Sequence, residues 1–151
     1  REDYTREMAG VFNSWPAADA IALTDSQFTP DERFSVAERC SSVIDLIDKE
    51  QWVEWFLKID ADEWATWAKR QGNASKHPLV RQIQSQAIKD SQLPRQWLEK
   101  IPPGTLRDES VLAFAWMIAD RDPGLAESYL HELPETKGKK NLVRKIREAG
   151  K

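Results

Sequence analysis

Apolar residues along this chain recur at helical spacing from one end to the other. Trp52, Trp55, Phe56 and Ile59 fall at i, i+3, i+4 and i+7, one face of an amphipathic helix. Phe34, Ala37, Cys40, Ser41, Ile44 and Ile47 form a second such stripe, and Trp64, Trp67 and Ala68 a third. Leu79, Ile83, Ala87 and Ile88 follow, then Leu106, Val111, Phe114, Ala115 and Ile118, and last Leu142, Val143 and Ile146. No stretch shows sustained period-two alternation, so no strand is expected. Tyr4, Met8 and Val11 are spaced for an opening helical turn, which Gly10 weakens.

Start and stop signals divide the pattern. Ser14-Trp15-Pro16 opens a helix that Thr24-Asp25-Ser26 ends. Thr29-Pro30-Asp31-Glu32 is a capping box with Pro at the first helical position. This helix is expected to run through Ile44 and Ile47, with Asp48 closing it or capping the next one. Asp60 to Glu63 reads as another capping box, and Gly72-Asn73 as a helix stop. Pro102-Pro103-Gly104 is a firm break. A last helix is expected from about Lys139 to Ala149.

One phrase is written twice. Asp90 to Pro102 returns, thirty-two positions on, as Asp122 to Pro134. Asp90 matches Asp122, Trp97-Leu98 matches Tyr129-Leu130, and Ile101-Pro102 matches Leu133-Pro134. Val111 and Phe114 match Val143 and Ile146 at the same spacing. Asp48 to Asp60 is an earlier, looser copy at an offset of forty-two, and Ala17 to Ile47 a looser one still, near thirty-five. Each helix pair carries an apolar stripe that it cannot bury alone, so stacking of neighbours is expected. Trp55, Trp97 and Tyr129 are expected to wedge between consecutive pairs.

The residues Trp97-Leu98-Glu99-Lys100-Ile101-Pro102 and Asp122-Pro123-Gly124-Leu125-Ala126 resemble the degenerate HEAT-like and tetratricopeptide-like repeats of bacterial α-solenoids. The likeness is good over about residues 90–150 and poor over 14–60. It implies an all-α fold of helical hairpins stacked as a right-handed superhelix, with about seven or eight helices in a single domain over residues 1–151. It also implies a non-enzymatic scaffold or a protein- or peptide-interaction module, and it brings no catalytic residues with it. The Trp, Leu-Gly and Tyr spacing of the standard tetratricopeptide signature is absent.

Composition adds bounds. The chain has 151 residues, 40% apolar and 31% charged, a balance able to bury a core. Its longest apolar run, Val111 to Ala119, is too short to span a membrane. The single cysteine, Cys40, has no partner for an internal disulfide and is expected to be buried. The chain starts at Arg1 without a signal-peptide pattern, so a processed chain or a piece of a longer solenoid is expected, with the compartment and oligomeric state left open.

Charge is uneven. Residues 1–75 carry 8 basic and 15 acidic residues, and residues 76–151 carry 14 and 10. The basic excess gathers at Lys137, Lys139, Lys140, Arg144, Lys145 and Arg147, a candidate site for nucleic acid or another polyanion. Trp52, Trp55, Trp64 and Trp67 lie within sixteen residues, with Asp60, Asp62 and Glu63 between the pairs. These rings suit packing between helices. They also suit an acidic aromatic groove for a peptide, sugar or cation, or the cleft of a hydrolase. The three acids equally fit helix caps and first-turn positions.

No phosphate loop, dinucleotide fingerprint, CxxC or HExxH occurs, so no cofactor is expected. His77 precedes Pro78 at a helix start. His131 could meet Glu127 and Glu135 on one face, but so few converging ligands make a poor metal site, and none is expected.

Overall fold

In the computed structural model, which describes residues 7, 8, 10–72 and 75–151, the chain is all-helical. Helix accounts for 72% of the described residues, and no strand occurs among them. Tyr4 of the expected opening turn and Asn73 of the expected stop lie outside the described residues. Ten helices form among the described residues, more than the seven or eight expected. The helices are α1 (described residues 7, 8 and 10–12), α2 (Ala17–Gln27), α3 (Pro30–Ser41), α4 (Lys49–Leu57) and α5 (Ala61–Arg70). They continue as α6 (Pro78–Ala87), α7 (Gln92–Lys100), α8 (Thr105–Ile118), α9 (Pro123–Ser128) and α10 (Lys137–Ala149). A 3-10 turn, Leu130–Glu132, follows α9.

The chain divides into two compact units, residues 1–82 and 83–151, with the division falling inside α6. In the first unit, α2 packs on α3 and α4, and α3 packs on α5. The capping box at α3 forms in full. Thr29 Oγ1 accepts from the Glu32 N–H, and Glu32 Oε1 accepts from the Thr29 N–H. Gly72, at φ 74°, takes the left-handed turn that closes α5.

One expectation needs correction here. The α3 helix stops at Ser41 instead of running through Ile44 and Ile47, and Asp48 stands at the N-cap position of α4. The Ser41 and Ser42 hydroxyls donate to the carbonyls of Glu38 and Arg39, a local bonding pattern that competes with helix continuation. Leu46 then enters the core, and Ile44 and Ile47 stay 40% and 46% exposed. The α2 helix starts directly after Pro16, where Ser14-Trp15-Pro16 is expected to open it. Pro16 makes no side-chain cap, and Asp48 Oδ2 accepts the Ala17 N–H from 31 residues away. Asp48 does this in the left-handed conformation, at φ 54°.

In the second unit, α8 packs on α7, α9 and α10, and α10 also packs on α9. Gly104, at φ 150°, opens α8 in a conformation that side-chain-bearing residues rarely adopt. The Arg107 guanidinium donates to the Leu98 and Ile101 carbonyls at the end of α7 and pairs with Glu132 at 3.1 Å. It thereby satisfies carbonyls that a helix end leaves open. Gly138 lets α10 approach α8 closely, because a Cβ there would lie 2.7 Å from Leu112 Cδ2.

Candidate functional site

The four clustered tryptophans are buried. Trp52 is 0%, Trp64 2%, Trp67 4% and Trp55 7% exposed. They fall into two groups. Trp52 lies edge-on to Trp55 at 5.7 Å, and both contact Phe56. Trp64 and Trp67 pack 5.0 Å apart, with Phe34 against both and His77 beside Trp64. Two indole N–H groups tie the rings down: Trp55 donates to Asp25 Oδ1 at 3.0 Å, and Trp64 to the Ser75 carbonyl at 3.1 Å. Burial removes these ring faces from solvent, so in this arrangement they form core and not the wall of an open groove. Each such ring stabilises the fold by about 1.5–3 kcal/mol.

The acidic residues between the pairs sit at the surface. Asp60 Oδ1 accepts the Glu63 N–H at 2.9 Å and caps α5. Of the expected box, this is the half that forms. Asp62 and Glu63 occupy the first turn of α5, where the helix dipole stabilises negative charge. All three are exposed.

His77 stands at a helix entry, directly before α6, but it is interior, 4% exposed, and not at the surface. Its Nε2–H donates to the Ile59 carbonyl at 2.8 Å, and its Nδ1 accepts the Leu79 N–H at 3.1 Å. That pattern requires the neutral ring. Burial holds its pKa below the usual histidine value, against the opposing pull of the Ile59 carbonyl and Asp60. Cys40 is buried, and burial pushes its thiol up to about 12, leaving almost no thiolate. His131 is exposed, with Nδ1–H donating to the Ser128 carbonyl at 2.9 Å. Glu135 instead pairs with Lys139 at 2.6 Å, which holds its carboxyl below the ordinary range. Among the described residues no group of three or more His, Cys, Asp or Glu is placed to hold a metal ion.

The six basic residues share α10 but not one environment. Lys139 is largely covered, bonded to Glu135 and to the Leu133 carbonyl. Lys145 pairs with Asp120 at 3.5 Å and sits 4.6 Å from the centre of the Trp116 ring. Lys137, Lys140, Arg144 and Arg147 are exposed. Reading the sequence as a basic cluster missed this split. The signal for it was the phase of each residue relative to Leu142 and Ile146, the buried side of α10.

The two copies of the repeated phrase can be laid side by side. Pro94, Trp97, Leu98 and Ile101 are buried in the first; at their matching positions Ala126 and Leu133 are buried and Tyr129 and Leu130 half-buried. Asp90 Oδ1 accepts the Leu93 N–H at 3.0 Å, and Asp122 Oδ1 accepts the Leu125 N–H at 3.1 Å. The following helices start at Thr105 and Lys137, thirty-two residues apart. Tyr129 stands edge-on to Phe114 at 5.6 Å. The copies differ in that α7 runs unbroken for nine residues, whereas its counterpart is the six-residue α9 followed by the 3-10 turn.

Among protein-family models, curated proteins and solved structures, nothing matches this chain.

Proposed function

We propose that this chain is a non-enzymatic protein- or peptide-interaction module, a scaffold built from α-solenoid repeats of the HEAT-like kind. Its helical hairpins stack as a right-handed superhelix. The observation that carries the reading is the agreement in burial between the two copies. Matched positions serve the same structural task, whether cap, wedge or buried residue before the proline. Apart from the turn prolines Pro102 and Pro134, exposed matched positions change chemistry: Arg95 against Glu127, Gln96 against Ser128, Glu99 against His131. Repeat modules divide their residues in this way, with a constant frame and a variable surface that selects the partner. The hydrolase reading of Asp60, Asp62 and Glu63 finds no such support, since Asp60 already serves as a cap.

The test is selection from a random peptide-display library on the folded chain, followed by NMR mapping of the peptides enriched. Peptides that shift the amides around Arg95, Glu99, Glu127 and His131 are the expected result. The reading is overturned if no peptide is enriched above a urea-unfolded control, or if every footprint avoids those variable positions.

A further inference from the structure

The solvent side of α10 is mainly basic, with the exposed acid Glu148 at its C-terminal edge. Lys137, Lys140, Arg144 and Arg147 follow one another at i, i+3, i+7 and i+10. At 3.6 residues per turn they lie within about 80° of arc, nearly opposite Leu142 and Ile146. All four are exposed, and among the described residues none enters an ion pair. The other arginines of residues 83–151 are engaged internally. Arg95 donates to the Tyr129 hydroxyl, Arg107 to carbonyls of α7 and the 101 position, and Arg121 to the Ala87 carbonyl and Ser91. The stripe is therefore a block of basic charge that these internal bonds do not use.

The stripe also opposes the helix's own electrostatics. Lys137 and Lys140 stand in or beside the first turn, at the positive end of the helix dipole, and no acid offsets them in that turn. Cations there weaken the helix, so their presence calls for a reason outside it.

We infer that this stripe binds the phosphate backbone of a nucleic acid. Three observations select that occupant. Its arc contains no apolar residue, whereas a protein interface needs a desolvated core and a membrane-surface helix needs an apolar face to insert. The four charges of the arc are of one sign, with Glu135 near Lys140 and Glu148 at the edge. Their net positive charge fits a polyanion gathered by counterion release. The span fits as well. Ten residues of helix rise about 15 Å, the length over which one strand of a duplex presents about four phosphates. Contacts of this kind position a backbone and read no bases, so the binding is independent of sequence. This inference stands apart from the peptide-binding proposal, and either can fail without the other.

The experiment is fluorescence anisotropy of a short labelled DNA duplex, and of the matching single strand and RNA duplex, titrated with the full 151-residue chain across a salt series. Binding to at least one of them is expected to fall with salt, the logarithm of the constant having a slope of about −3 to −4 for four neutralised phosphates. The double variant Lys140→Glu, Arg144→Glu is expected to lose at least tenfold in affinity at low salt. The control, Lys58→Glu with Lys69→Glu, makes the same change in net charge at exposed residues of the other unit and is expected to bind within twofold of the parent. Circular dichroism melts of both variants should match the parent, since the replaced side chains are exposed. Three results overturn the inference: no binding of any nucleic acid at low salt, equal losses in the two double variants, or polyglutamate or phosphatidylserine vesicles bound as tightly as nucleic acid.

Discussion

Residues 1–82 and residues 83–151 are both helical, and both combine local caps with bonds across long stretches of chain, but the second repeats one cap at matched positions. In the first unit, single bonds reach across long stretches of chain. Asp48 caps α2 from 31 residues away, the Trp55 indole reaches Asp25 across 30, and the His77 ring reaches Ile59 across 18. Five of the seven tryptophans lie in this unit, and the four clustered ones are interior. In the second unit the same short-range solution occurs twice, with Asp90 and Asp122 each capping the N–H three residues on. A region built from one-off contacts can be broken at one contact. A region built from copies should show matched, graded responses at matched positions.

The sharpest comparison is Trp97→Ala against Tyr129→Ala. Trp97 is fully buried, so its loss should lower stability by about 3–5 kcal/mol. Tyr129 is half-buried, and its loss should cost about 1–2 kcal/mol, in proportion to the smaller area covered. Urea unfolding of both variants decides the matter. Equal costs, or a Trp97→Ala loss within error, would show that the two positions are not graded versions of one wedge.

Asp48 offers the equivalent test of the first unit. Asp48→Ala removes the cap of α2 and forces a side-chain-bearing residue to keep φ 54° without the hydrogen bond. A loss of about 2 kcal/mol is expected, one part from the cap and one from the backbone. Asp48→Gly keeps the conformation and loses only the cap, so it should cost about half as much. If the two variants unfold at the same urea concentration, the left-handed conformation carries no cost of its own.

What the sequence disclosed follows from the same contrast. Helix starts at Thr29-Pro30-Glu32 and Asp60 were legible because a cap and its target lie within four residues. The repeated phrase was legible because its copies repeat side chains as well as spacing. The end of α3 was not, because Ile44 and Ile47 continue the apolar period while the hydroxyls of Ser41 and Ser42 work against it. The partner of Asp48 was not, since nothing local marks Ala17. The tryptophan stripe showed which faces of α4 and α5 are aromatic, but a stripe at helical spacing looks alike whether it packs against a core or lines a groove. Burial is a property of the neighbours. On α10 the phase of each basic residue against Leu142 and Ile146 was present in the sequence, and it separates the four exposed cations from Lys139 and Lys145.

His77 makes the first unit sensitive to pH. The folded ring is held neutral, with its pKa below the unfolded value of about 6.5. Stability from this group is therefore complete above about pH 6.5. It falls as pH drops from there towards the folded pKa, because the unfolded chain takes up the proton first. Asp60 is the charged neighbour that partly opposes this, and it does so less than burial acts. Carboxylates also titrate at lower pH, so the measurement is the difference between the parent and His77→Gln in urea unfolding at pH 7.5 and 5.5. The parent should lose more stability than the variant over that range. An equal loss would mean the buried ring does not link folding to protonation.

The smallest expected effects come from the paired caps. Asp122→Ala removes one hydrogen bond to the Leu125 N–H at the start of a six-residue helix, and should cost about 1 kcal/mol. Asp90→Ala removes the matching bond to Leu93 and a second one, in which the side-chain amide of Gln86 donates to Asp90 Oδ2 at 2.6 Å. Gln86 is buried, so its amide would be left without that partner, and Asp90→Ala should cost more by about 1 kcal/mol. Asp90→Asn retains an acceptor for Leu93 and should recover most of the cap. If Asp122→Ala proves the costlier of the two, the caps are not equivalent, and the correspondence between the copies ends at their apolar residues.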